Sequence, residues 1–251
     1  LTAYGQATSG QPFVAQLTVQ ELLPTLSADK PLTTFSYLLA AETALASNQH
    51  KLALEYLQND SLDWPVELLA VANLRRADAQ AGLGELQQAV TEYQNLRDEP
   101  GLFEHYLFSL NSAAFSAYKH GDYGFSYQLY RKLTELVKEL PGADLIQYGA
   151  GAAAYASGNL DWGIIGLQKA SLDWPAEEGG ERAELRLIDH ALISGGEYEL
   201  AKAATSYGQI NQRASARSVR EEAAFKRALA LYLLTDFQDS VAALMKFRRD
   251  F

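Results

Sequence analysis

The chain has 251 residues, 48% of them hydrophobic, with 21 Lys and Arg against 31 Asp and Glu and a net charge of -10. The composition is globular, and the acidic balance repels phosphates, which removes nucleic acid from the expected partners. There is no cysteine, so disulfides, thiol catalysis and cysteine zinc sites are excluded together, and no window approaches the about 20 apolar residues that a membrane-spanning helix needs.

In chain order, the first signal is Tyr4-Gly5-Gln6-Ala7-Thr8-Ser9-Gly10, which matches the close of a helix at Tyr155-Ala156-Ser157-Gly158. It predicts a partial hairpin over 1–30, with helices over 1–9 and 12–23. Six further hairpins are expected over 32–60, 66–98, 102–140, 143–174, 181–212 and 216–251. Their first helices are expected near 33–47, 66–82, 103–119, 143–157, 181–194 and 217–234. Their second helices are expected near 50–59, 85–97, 123–139, 161–171, 198–210 and 237–250. The turns between them fall at Asn48, Gly84, Gly121, Gly158, Gly196 and Thr235, spaced 36, 37, 37, 38 and 39 apart. Glycine there tolerates the left-handed conformation that ends a helix. Two identical strings, Ser61-Leu62-Asp63-Trp64-Pro65 and Ser171-Leu172-Asp173-Trp174-Pro175, sit 110 positions apart, which is three such units. Each Asp is placed to cap the helix that follows. Pro65, Pro100, Pro141 and Pro175 fall between hairpins, where proline interrupts no helix bond. Glu177-Glu178-Gly179-Gly180-Glu181 reads as a solvated acidic linker, the alternative being a loop that holds a cation weakly. The chain opens at Leu1 and closes a helix at Phe251 without a polar cap. It is therefore expected to be a processed or excised segment of a longer array, with ends able to self-associate.

Each turn is followed by an aromatic or Leu two residues on and usually a small residue at the fifth, as in Gly84, Leu86, Ala89 and Gly121, Tyr123, Ser126. With these residues the chain resembles the tetratricopeptide-repeat (TPR) superfamily. The family favours a small residue in mid first helix, where Ala41, Ala77, Ala114, Gly151 and Ala228 stand and Asp189 departs. It also favours an aromatic in the second helix, where Tyr93, Tyr130 and Tyr207 lie. The resemblance implies an all-α fold, a right-handed α-solenoid of antiparallel helical hairpins. The closing run 237–251, with Phe247 and Phe251 one turn apart, resembles repeats of bacterial cell-envelope proteins. That likeness implies a periplasmic or outer-membrane-associated location, the alternative being the cytoplasm.

If the family's geometry holds, one face of each first helix lines a concave groove. The residues selected are Asn111, Phe115 and Tyr118, then Tyr148 and Tyr155, then Arg186 and His190, then Phe225 and Tyr232. Tyrosine suits an interface because an apolar ring carries a polar tip. The expected function is a non-catalytic scaffold binding a protein or peptide segment. The alternative is a carbohydrate-binding or polysaccharide-export accessory module that stacks sugars on Trp64, Trp174 and exposed tyrosines, although both indoles sit where one hairpin hands over to the next and are better placed as plugs. No nucleophile elbow or phosphate loop is present. His50, His105, His120 and His190 have no metal-ligand spacing. No catalytic residue, cofactor or metal is therefore expected. Residues 211–251 carry eight Lys and Arg against five Asp and Glu, which reads as a solvated face with pairs such as Glu222 to Lys226.

Overall fold

The computed structural model describes residues 3, 5–6, 9–25, 30–59, 63–99, 101–193 and 195–251, with 30 and 31 by backbone alone. The expected helix over 1–9 falls partly outside these residues, as do Ser61, Leu62 and Pro100. Among the described residues there are thirteen α-helices and no strand.

The chain divides into two compact units, Leu1–His120 and Gly121–Phe251. The first holds α1 (Pro12–Leu22), a short turn of 3-10 helix, α2 (Lys30–Ala46), α3 (His50–Leu57), α4 (Val66–Gly82), α5 (Leu86–Leu96) and α6 (Phe103–Lys119). The second holds α7 (Tyr123–Leu136), α8 (Ala143–Ala156), α9 (Leu160–Asp173), α10 (Glu178–Ile193), α11 (Glu197–Arg213), α12 (Arg217–Leu233) and α13 (Phe237–Asp250). Within each unit every helix packs on the next. Alternate helices also meet: α2 on α4 and α4 on α6 in the first unit, α8 on α10 and α10 on α12 in the second. Those four contacts all join first helices of hairpins, so first helices form a contiguous layer in each unit.

Small side chains make this spacing possible. Ala41, Ala44, Ala53, Ala72 and Ala79 are fully buried around Leu38 and Leu57, and Trp64 packs half-buried against them. In the second unit Gly151 and Gly166 let α8 and α9 meet backbone to backbone. A Cβ on Gly151 would lie 2.7 Å from the Leu167 nitrogen, and one on Gly163 would lie 2.6 Å from the Tyr155 Cα.

The turns explain the periodic glycines. Gly84, Gly121 and Gly158 have φ of +87°, +84° and +88°. After α4, Glu85 N–H donates to the Gln80 carbonyl at 2.9 Å and Gly84 N–H to Ala81 at 3.1 Å, which satisfies two carbonyls the helix end would otherwise leave bare. The same pair of bonds closes α2 through Gln49 and Asn48, and α12 through Asp236 and Thr235. Asn48 tolerates its φ of 57°, but Thr235 is β-branched at φ 61°, where a non-glycine residue is held at a cost. Thr235→Gly should therefore stabilise the protein by about 1 kcal/mol after glycine's extra chain entropy is counted. Urea unfolding checks the sign; a lower midpoint would show that the left-handed turn is not strained. Gly196 keeps the spacing without the conformation: its φ is -101°.

Two sequence expectations are corrected. The acidic stretch 177–181 is not a solvated linker: helix α10 begins at Glu178, and Gly179, Gly180 and Glu181 are buried. The Asp144 carboxylate accepts the Gly179 N–H at 2.8 Å, and the Glu181 carboxylate accepts the Ser215 N–H at 2.7 Å, ahead of α12. The second correction concerns the two Asp-Trp-Pro strings. Pro65 stands at the cap position of α4 without any side-chain cap, and Asp173 pairs with Lys169 instead of capping α10. Among the described residues at N-cap positions, Asp122 accepts the Phe125 N–H and Asp236 the Asp239 N–H.

Candidate functional site

In the first unit the layer of first helices opens into a cavity of about 750 Å³. Glu42 from α2, Arg75 and Asp78 from α4, and Phe108, Ser109, Ser112 and Ser116 from α6 line it, together with Asn48, His50, Tyr93 and His120. On α6 the residues 109, 112 and 116 follow helical spacing, which turns one hydroxyl row towards the cavity.

The polar wall is organised by Asp78. One carboxylate oxygen accepts the Tyr93 hydroxyl at 2.8 Å and the Ser109 hydroxyl at 2.6 Å. The other pairs with Arg75 at 3.0 Å, and Arg75 Nε reaches Glu42 at 2.9 Å. Burial works against the Arg75 charge, but Glu42 and Asp78 outweigh it and raise its pKa above the ordinary value. Burial, and then Asp78, push the Tyr93 phenol well above its usual range, so it remains a donor. The second unit repeats the device. Asp189 accepts the Tyr207 hydroxyl at 2.7 Å and pairs with Lys226 at 2.6 Å. In both, an Asp on a first helix takes a Tyr from its own hairpin and a donor from the next first helix. Asp189, which departs from the small-residue pattern, does so because its carboxylate is the acceptor of this network.

Asn111 and Tyr118 lie half-buried on the stripe of α6 next to the hydroxyl row, and Phe115 on that stripe is 56% exposed with Lys119 Nζ 5.7 Å above its ring. In the second unit Tyr148 packs against Leu167, Ala170 and Ala183. The Tyr155 hydroxyl lies 2.9 Å from His190 Nδ1, with the two rings edge to face. Arg186 is exposed one turn earlier on α10. Phe225 and Tyr232 on α12 are exposed and contact Phe247 and Phe237. Of the residues selected from sequence in the second unit, the structure brings Tyr155 and His190 into direct contact. The cavity residues Glu42, Arg75, Ser112 and Ser116 were not selected. Three serines at helical spacing were the available signal, but polar residues on a helix most often mark plain solvent exposure.

Trp174 is half-buried with Lys169 Nζ 6.0 Å over its ring, while Trp162 is the 64% exposed indole.

No protein-family model matches the chain, and no curated protein sequence does. Solved structures do. A tetratricopeptide repeat protein from Parabacteroides merdae aligns over 99% of this chain and 90% of its own, at 14% identity and a TM-score of 0.56. A kinesin light chain-like protein from Podosopora anserina, with nearly identical TPR-like repeats, aligns over 69% of this chain and 91% of its own, at 17% identity and a TM-score of 0.50. The fold is TPR-like. In a TPR-like unit the first helices supply one continuous layer, and that is the layer in which the cavity opens. No described helix is long and apolar enough to cross a membrane.

Proposed function

We propose that this chain is a non-catalytic scaffold that holds a segment of a partner protein against its first helices, in the assembly of a bacterial cell envelope. The open cavity of the first unit carries the reading, because three successive first helices contribute to it and leave Phe108 and Phe115 exposed beside it. Exposed aromatics next to hydrogen-bonding groups are what a bound segment would bury. Asn111, Phe115 and Tyr118 are its contacts in the first unit. Tyr148, Tyr155, Arg186, His190, Phe225 and Tyr232 are the corresponding set in the second, with Tyr148 acting through packing. The envelope setting rests on the likeness of 237–251 to envelope repeats. A sugar-binding role would rest on Trp162, since Trp64 and Trp174 are each half-buried.

The test places a photo-crosslinking amino acid in the cells that make the protein, at Ser112, at Phe115 and, as a control, at exposed Gln94 on α5. A discrete protein adduct is expected from positions 112 and 115 and none from 94. Phe115→Ala should weaken that partner about tenfold, the size of one lost aromatic contact. Adducts of equal yield at all three positions, or none at 112 and 115, would overturn the reading.

A further inference from the structure

We infer that the cavity of the first unit recognises a basic side chain, a Lys or Arg carried by the bound segment, and discriminates against acidic segments. The inference rests on the scaffold reading and adds the chemistry of the ligand.

The charges of the wall decide the sign. Among the permanently charged side chains Glu42 and Asp78 face one cation, Arg75, leaving an excess of one carboxylate, and the other titratable groups of the wall are the imidazoles of His50 and His120 and the phenol of Tyr93. Both oxygens of Asp78 are already engaged, Oδ1 by Tyr93 and Ser109 and Oδ2 by Arg75. At Glu42, Arg75 engages Oε1, and the side chain is 38% exposed. That leaves a second carboxylate oxygen available to an incoming ammonium or guanidinium.

The surroundings agree. Ser112, Ser116 and Asn48 donate and accept without preference for charge. Phe108, 72% exposed, offers an apolar face for an aliphatic stem or a ring face for its cation. Residues 1–120 carry six Lys and Arg against thirteen Asp and Glu, a net of -7. That field attracts a basic segment and repels an acidic one, in a salt-dependent way.

Three pools of fluorescein-labelled decapeptides, degenerate except for two adjacent central residues fixed as Arg, Ala or Glu, provide the probe. Fluorescence anisotropy with the whole chain should show the Arg pool binding about tenfold tighter than the Glu pool, with the difference shrinking as salt is raised. Glu42→Gln, which keeps an acceptor for Arg75, should reduce Arg-pool binding severalfold. Ser112→Arg, at an exposed position of the cavity wall, should block it even if the Glu42 variant proves unstable. Equal binding of the three pools, or preference for the Glu pool, overturns the inference and leaves the scaffold reading standing. Binding of no pool also overturns it, and the crosslinking at 112 and 115 then decides the scaffold reading separately.

Discussion

Gly180→Ala is expected to destabilise the second unit by about 3 kcal/mol, although alanine is the better helix former by about 1 kcal/mol. Gly180 lies in the first turn of α10, where a Cβ would overlap the carbonyl oxygen of Trp174 and stand 3.0 Å from that of Ala170. Both are backbone atoms, so neither can swing aside as a side-chain tip would. Its neighbour Gly179 meets the backbone of Asp144 in the same way, while its N–H is tied to the Asp144 carboxylate. The steric term exceeds the propensity term here because relief requires α10 to move away from the end of α9, while Gly179 next to it is held against α8. Gly124→Ala supplies the contrast. That glycine is in the first turn of α7, where a Cβ would meet nothing within 4 Å, so the same change should stabilise by up to about 1 kcal/mol. Urea unfolding followed by circular dichroism reads both. Similar shifts for the two variants would mean that helix propensity, not backbone contact, governs the glycines of this unit.

The residues around Gly180 show where sequence reading reaches its limit. The turns were legible because one conformational need recurs at a near-constant interval, and glycine answers it at 84, 121 and 158. Asn48 and Thr235 could be placed by phase although their residue types are poor or ambiguous signals. The stretch 177–181 failed for the opposite reason. Two adjacent glycines argue against a helix locally, and what stabilises them there lies far along the chain. Glu181 is held by backbone N–H groups of Ser215 and Ala216, 34 and 35 residues on. Gly179 and Gly180 serve contacts with α8 and with the end of α9. The candidate site divides similarly. Phe115, Phe225 and Tyr232 could be selected as exposed aromatics on one helical face. The cavity could not, because it depends on Glu42, Arg75 and Asp78 meeting across two helices, and a sequence places such charges on solvated faces by default.

Asp78→Ala should cost about 3 kcal/mol, more than Asp189→Ala, even though each removes one carboxylate. Losing Asp78 strands three donors at once. Ser109 is 2% exposed and Tyr93 1%, so water replaces little of what their hydroxyls lose. Arg75, with its side chain 24% exposed, retains only Glu42. That partial exposure keeps the cost below the about 5 kcal/mol of a fully buried broken pair. At the second site Tyr207 also loses its acceptor, but Lys226 keeps Glu222 at 2.6 Å, so about 2 kcal/mol is expected there. Tyr93→Phe, which removes one hydroxyl and leaves the carboxylate with Ser109 and Arg75, should cost about 1 kcal/mol. Combining Tyr93→Phe with Asp78→Ala should cost less than the sum of the two, because the phenol has nothing left to bond once the carboxylate is gone. Additive losses in that double-mutant cycle would mean that Asp78 and Tyr93 stabilise the first unit independently, and that the carboxylate does not organise the wall of the cavity.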